Sequence, residues 1–159
     1  MNELSNFELR AVQAQVIKPI YDEMVAELGK EKARLILEKA IQNAAVEEAG
    51  VLAAQEPNGE TSMNSFILLY NKRYKNWGAD CGLDVKILRS DDKHFDFDVT
   101  RCGYVELYEK MGLGHLTELL ACNRDGAFCT GYDPHIKLDR VETIPQGSNR
   151  CTFRYRYED

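Results

Sequence analysis

The chain has 159 residues, with 20 Lys and Arg against 26 Asp and Glu, so its formal net charge is -6; 44% of its residues are hydrophobic and 29% charged. That length and balance fit one globular domain with its own core and exclude a disordered or low-complexity chain. The acidic excess, with no local cluster of Lys and Arg, excludes the basic footprint of a nucleic-acid binder and disfavours anionic membrane surfaces.

The spacing predicts a first helix over about Leu4 to Leu28. Leu9, Val12, Val16, Ile20, Met24 and Leu28 recur at three- and four-residue steps, and Ile17, Tyr21 and Val25 widen the stripe. Pro19 should kink or split this helix, and Gly29 is its stop. A second helix runs from about Lys30 to Gln55, with Ala33, Ile36, Leu37, Ala40, Ile41 and Ala44 as its apolar face. The turn residues Pro57, Asn58 and Gly59 end it. With almost no loop between them, the two helices form an antiparallel hairpin, a packing layer or a homodimer interface. A third helix begins after a cap at Thr61 or Ser62, buries Phe66, Leu69, Tyr70, Tyr74 and Trp77, and stops at Gly78.

The period then changes from helical to alternating. Leu83, Val85 and Ile87, then Phe95, Phe97 and Val99, mark two strands about a polar turn at Ser90–Asp92. Asp96, Asp98 and Thr100 belong to the regular solvent face of the second strand. A helix follows at once, with Tyr104, Leu107, Tyr108 and Met111 on one side. After Gly112 and Gly114 a short helix spans His115 to about Asp125, with Gly126 as its stop. In that helix His115, Glu118, Cys122 and Asp125 share one face. A second hairpin closes the chain, from Ile136 to Ile144 with a bulge near Arg140 and Val141, and from Cys151 to Tyr157. The expected architecture is a single α+β domain over residues 1–159. Residues 1–78 are helical and 79–159 read β-β-α-α-β-β, giving a four-stranded antiparallel sheet of two hairpins with helices packed on it.

No stretch approaches the roughly 20 apolar residues that span a bilayer. The charges in MNELSNFELR stand where a signal peptide carries its apolar run, so a cytoplasmic location is expected. The five cysteines (81, 102, 122, 129 and 151) include no Cys-x-x-Cys pair, which favours reduced thiols over a disulfide framework or a zinc ribbon. Cys102, His115, Cys122, Cys129 and His135 match no recurrent ligand spacing, so no metal and no cofactor is expected. Gly112-Leu113-Gly114 lacks the lysine of a phosphate loop, and no Gly-x-Ser-x-Gly elbow occurs.

Two thiols compete as nucleophile. Cys102 follows Arg101 and precedes a helix start, and both the guanidinium and the helix dipole favour a thiolate there. Cys122, near a helix end, is disfavoured by the same dipole, which should raise the pKa of Asp125 and suit it to proton transfer. His115 is the histidine placed to serve Cys122 as a base.

Cys102 after its strand, Gly112, the Cys122-x-x-Asp125 pair, Arg140 with Thr143, and Gly147, Cys151 and Phe153 in the last hairpin resemble the family of L-2-amino-thiazoline-4-carboxylic acid hydrolases. The likeness covers about Phe95 to Tyr157. It implies hydrolytic opening of a cyclic amidine bearing a carboxylate, giving a carbamoyl-cysteine on the way to cysteine in a bacterial-type enzyme. Fitted to that chemistry, Asp125 or Glu106 would bind the amidine and Arg101 or Arg124 the carboxylate, with His115 a further substrate contact. Attack would come from Cys102, from Cys122, or from water activated by Asp125. The alternatives are a small-molecule-binding or sensor module of the same fold without turnover, and an interaction protein working through its N-terminal helices.

Overall fold

The computed structural model describes residues 4–74 and 81–159. The expectations for Trp77 and Gly78 lie outside the described residues. The α+β architecture is the expected one. Among the described residues five α-helices accompany one antiparallel sheet of β1 (Leu83–Ser90), β2 (His94–Cys102), β3 (Ile136–Asp139) and β4 (Cys151–Tyr157), in the order β1-β2-β4-β3.

Helix α1 spans Asn6–Leu28 and starts at a capping box, in which the Ser5 hydroxyl accepts from the Glu8 amide and the Glu8 carboxylate accepts from the Ser5 amide. It is not split at Pro19. Gly29 alone links it to α2 (Lys30–Ala53), and its φ of 81° is a value that glycine tolerates at no steric cost. Helix α3 (Met63–Arg73) starts at Ser62 through a second reciprocal pair with Ser65.

Each helix of the hairpin buries only part of the face that the periodicity picks out. In α1 the inward residues are Phe7, Arg10, Ala14, Ile17, Tyr21 and Met24, while Leu9, Val12, Val16 and Ile20 face outward. Two stripes overlap in this sequence, and the more apolar one is not the one that packs. In α2 Ile36, Ala40 and Ala44 are exposed, while Ala33, Leu37, Ala45 and Ala49 are buried with Ile41 partly buried on the same face. These small residues let another helix approach closely. That helix is α5, which spans Asn123–Tyr132.

Strands β1 (Leu83–Ser90) and β2 (His94–Cys102) form the first hairpin, its turn held by the Asp91 carboxylate, which accepts from the amides of Lys93 and His94. Strand β3 (Ile136–Asp139) pairs with β4 (Cys151–Tyr157), and the hairpins join through β2 and β4, with Phe97 opposite Phe153 and Val99 opposite Cys151. Asp98 is not on a wet face as expected. It is 7% exposed and paired with Arg150 and Arg154.

Between the hairpins, α4 (Gly103–Lys110) follows β2 without a loop. A Cβ on Gly103 would stand 2.5 Å from the Cys81 carbonyl oxygen, so only glycine fits there. The chain from Gly114 onward departs from the single short helix expected there. It makes a 3-10 turn (Gly114–Leu116), a π turn (Glu118–Cys122) and then α5 (Asn123–Tyr132), which runs straight through Gly126. The π turn holds an extra residue, so His115, Glu118, Cys122 and Asp125 do not form one helical face.

Two apolar clusters fill the interior. One lies between the sheet and helices α3 and α5, with Phe66, Phe95, Phe97, Tyr132 and Tyr155 at its centre. The other lies between the helical hairpin and the segment from Tyr104 to Leu120. Tyr74, Leu83 and Cys102 pack against both clusters.

Candidate active site

At the junction of the two clusters is a cavity of about 110 Å3. Its apolar walls come from Leu83, Val99, Phe97, Phe128 and Phe153, together with the tyrosines 70, 74 and 104. Phe97 and Phe153 stack at 4.7 Å between ring centroids, a consequence of the β2–β4 register. Three thiols open onto it: Cys102 from the end of β2, Cys122 from the end of the π turn and Cys151 from the start of β4.

Asp125 faces the same space from the first turn of α5. Its Oδ2 accepts from Nη1 of Arg140 at 2.6 Å, and Nη2 of Arg140 donates to the Cys122 carbonyl at 2.7 Å. Arg140 reaches them because β3 stops at Asp139, so the residue leaves the sheet and lays its guanidinium over the Phe153 ring at 5.0 Å. No described residue hydrogen-bonds Oδ1. The Asp125 pKa is raised, as expected, but by another cause. Asp125 stands at a helix start, where the dipole would lower its pKa. Burial raises it, against the opposing charges of Arg140, Arg124 and Arg10.

Burial also governs the thiols. It pushes Cys102 up to about 11, while the backbone amides of Val105 and Tyr104 at the start of α4 pull the other way. Cys122 is pushed well above the usual thiol range by burial and by the Asp125 charge, and Cys151 is raised by burial as well. Cys102 is raised less far than Cys122, because the amides at the start of α4 oppose its burial. Arg101 plays no part in it, because its guanidinium turns outward to a bidentate pair with Glu106 at 2.7 and 2.9 Å.

The other end of the cavity holds a charge cluster. Glu48 of α2 accepts from Arg73 at 2.6 Å through Oε1, and from Arg10 at 3.1 Å and Arg124 at 2.5 Å through Oε2. Burial works to raise the Glu48 carboxyl, but the bond from Arg73 and the charges of Arg73, Arg10 and Arg124 hold it below the ordinary carboxylate range. Asn6 completes this end, accepting from Arg73 at 3.2 Å and donating to the Tyr104 hydroxyl at 3.0 Å.

Of the residues singled out in the sequence, the fold brings Cys102, Cys122, Asp125 and Arg124 to one cavity. Arg101 and Glu106 lie outside it as an exposed pair, and so does His115, an exposed residue beside the Tyr21 ring. Arg10, Glu48 and Arg73 also line the cavity, and the sequence pattern does not single them out. A signal for Arg10 was present: it is the one charged member of the stripe Phe7, Ala14, Ile17, Tyr21. Among the described residues no group of three or more His, Cys, Asp or Glu is placed to hold a metal ion. No helix among them is long and apolar enough to cross a membrane.

A four-stranded antiparallel sheet with packed helices, and a thiol- and arginine-lined cavity between them, define the α+β class of this chain. The profile of the L-2-amino-thiazoline-4-carboxylic acid hydrolases matches residues 9–155, and the chain belongs to that family. The match takes in the N-terminal helices as well as the second half. No curated protein matches the sequence. Among solved structures, the phenol-responsive sensory domain of the transcription activator PoxR, solved with phenol, aligns with a TM-score of 0.51 at 18% identity, covering 93% of this chain and 74% of that one. A trafficking protein particle complex subunit 3 from Naegleria fowleri, covalently bound to palmitic acid, aligns with a TM-score of 0.47 at 11% identity over 93% and 96% of the two chains.

Proposed function

We propose that the cavity hydrolyses a cyclic amidine resembling 2-aminothiazoline-4-carboxylate, and that Asp125 is its proton carrier. The observation that carries this reading is the meeting of Cys102, Cys122 and Asp125 at one aromatic-walled cavity in a chain of this family. Asp125 pairs with the planar amidine and takes a proton from the attacking water. Water adds to the amidine carbon. The tetrahedral carbon then collapses with loss of one ring bond, the departing ring atom takes up the proton, and the product is a carbamoyl-cysteine. One water is consumed and no electrons are transferred. Direct attack by water is favoured over attack by a thiol because burial keeps both thiols protonated near neutral pH. Cys102, with the lower pKa of the two, is the nucleophile in the covalent version.

Incubation with L-2-amino-thiazoline-4-carboxylate should yield carbamoyl-cysteine by mass spectrometry, with Cys102→Ser and Cys122→Ser retaining turnover within about tenfold. Loss of turnover in one folded serine variant would put that thiol in the covalent path. The second reading is ligand binding without turnover, and the fold shared with a phenol-responsive sensory domain favours it. It predicts a ligand-induced rise in Tm with no product.

The outward stripe of α1 also supports a homodimer through the N-terminal helices. Leu9, Val12, Val16 and Ile20 are 36%, 48%, 59% and 54% exposed, at the three- and four-residue steps by which paired helices form a seam. Light scattering should find a dimer, and Val16→Glu with Ile20→Glu should shift it to monomer. A wild-type monomer at all concentrations would rule this out.

A further inference from the structure

The charge cluster at the far end of the cavity is unbalanced. Among the described residues Arg10, Arg73 and Arg124 surround one carboxylate, Glu48, and at the thiol end Arg140 answers Asp125, so four described arginines face two described acids. Glu48 offers two oxygens to three guanidinium groups, and each of the three also lines the cavity. The side chains of Arg10 and Arg124 are only 10% and 12% exposed, so bulk water screens little of this charge.

We infer that Arg10, Arg73 and Arg124 form an anion-binding pole that holds the carboxylate of a small ligand, with Glu48 as the internal counter-ion that the ligand partly displaces. This deepens the proposed function, and rests on reading the cavity as the substrate site. The four residues come from α1, α2, α3 and α5, so the N-terminal helices supply binding groups as well as packing. A guanidinium is suited to the task because it stays charged when buried and presents a planar fork to a carboxylate. A ligand held here by its carboxylate can extend its other end along the wall made by the stacked Phe97 and Phe153 rings toward Asp125, which orients it along the cavity.

Removing Glu48 and removing an arginine should have opposite effects on binding. With thiazolidine-4-carboxylate, which lacks the amidine, as the calorimetric probe, Glu48→Gln should tighten binding several-fold, because the guanidinium groups lose their competitor. Arg73→Gln should weaken binding at least about tenfold, and Arg73→Lys should recover part of it. The uncharged ring thiazolidine should bind weakly to the wild type and respond to neither change. If Glu48→Gln and Arg73→Gln both weaken the probe, the cluster is purely structural and the inference falls. Equal wild-type affinity for thiazolidine and its carboxylate overturns it without any variant. The hydrolase reading fails separately: selective binding of the carboxylate without turnover of the aminothiazoline acid leaves the anion pole standing. Turnover of 2-aminothiazoline as fast as of its 4-carboxylate removes the pole and keeps the hydrolysis.

Discussion

Asp125→Asn is expected to lower kcat by about 100- to 10,000-fold, the usual contribution of a positioned general base, at some cost in stability because the largely buried Arg140 loses its counter-charge. The amide keeps the shape of the side chain and still offers an oxygen to Nη1 of Arg140, now held at 2.6 Å by the carboxylate. What it loses is the ability to accept a proton. Because burial raises the carboxyl above its ordinary 3.8, the acidic limb of kcat/KM against pH should lie above that value in the wild type. Activity should rise with pH as Asp125 ionises, and that limb should be missing in the asparagine variant. Retention of turnover within about tenfold would remove Asp125 from the chemistry.

Arg140→Ala has the complementary signature. It strands a carboxylate in an aromatic wall, and breaking a largely buried pair from one side costs about 3–5 kcal/mol, roughly 10 °C of Tm for a domain of this size. The sign of its pH dependence follows from the raised pKa. A carboxyl whose folded-state value is raised stabilises the fold when protonated, below its unfolded pKa, and loses that contribution as pH rises through the folded value. Without Arg140 the penalty should therefore be largest at neutral pH and shrink on acidification. A flat thermal profile from pH 4 to 8 would contradict it.

The second large effect is on the fold. Gly131 of α5 lies against α2 so closely that an added Cβ would stand 2.8 Å from the Val46 Cα and nearer still to its carbonyl oxygen. These are backbone atoms in the middle of a helix, so no side chain can swing aside. Gly131→Ala should cost at least the 1–3 kcal/mol typical of overpacking, and Gly131→Val should prevent folding. Circular dichroism melts read both. Gly126→Ala, where a Cβ meets nothing within 4 Å, is the control and should not destabilise. Equal Tm values for Gly131→Ala and wild type would mean that the two helices are not in contact there.

The sheet was legible in the sequence because alternation and turn residues agree: Phe95, Phe97 and Val99 point inward, and the hairpin turns fall where Asp91 and Gly147 lie. The helical hairpin was legible as two elements but not as packed faces. In α1 the face that packs includes Arg10, whose partner Glu48 is 38 positions away, and no local pattern reports such a pairing. The thiols and Asp125 were legible as residue types. Their convergence was not, since it depends on the π turn and on Arg140 leaving the sheet, and both are settled by tertiary packing. The dipole argument for Asp125 failed for the same reason, because in place of a helix ending at Gly126 the chain starts a new one at Asn123 that continues to Tyr132.

The π turn also sets how this site can change by insertion and deletion. Removing one residue from Glu118–Cys122 would restore a plain α-helix and rotate everything on one side of the cut by about 100° relative to the other. Leu119 and Leu120, or else Cys122 and Asp125, would then point away from their present neighbours. A length change of a single codon at this place would re-aim Cys122 and Asp125 relative to the cavity while sparing the sheet.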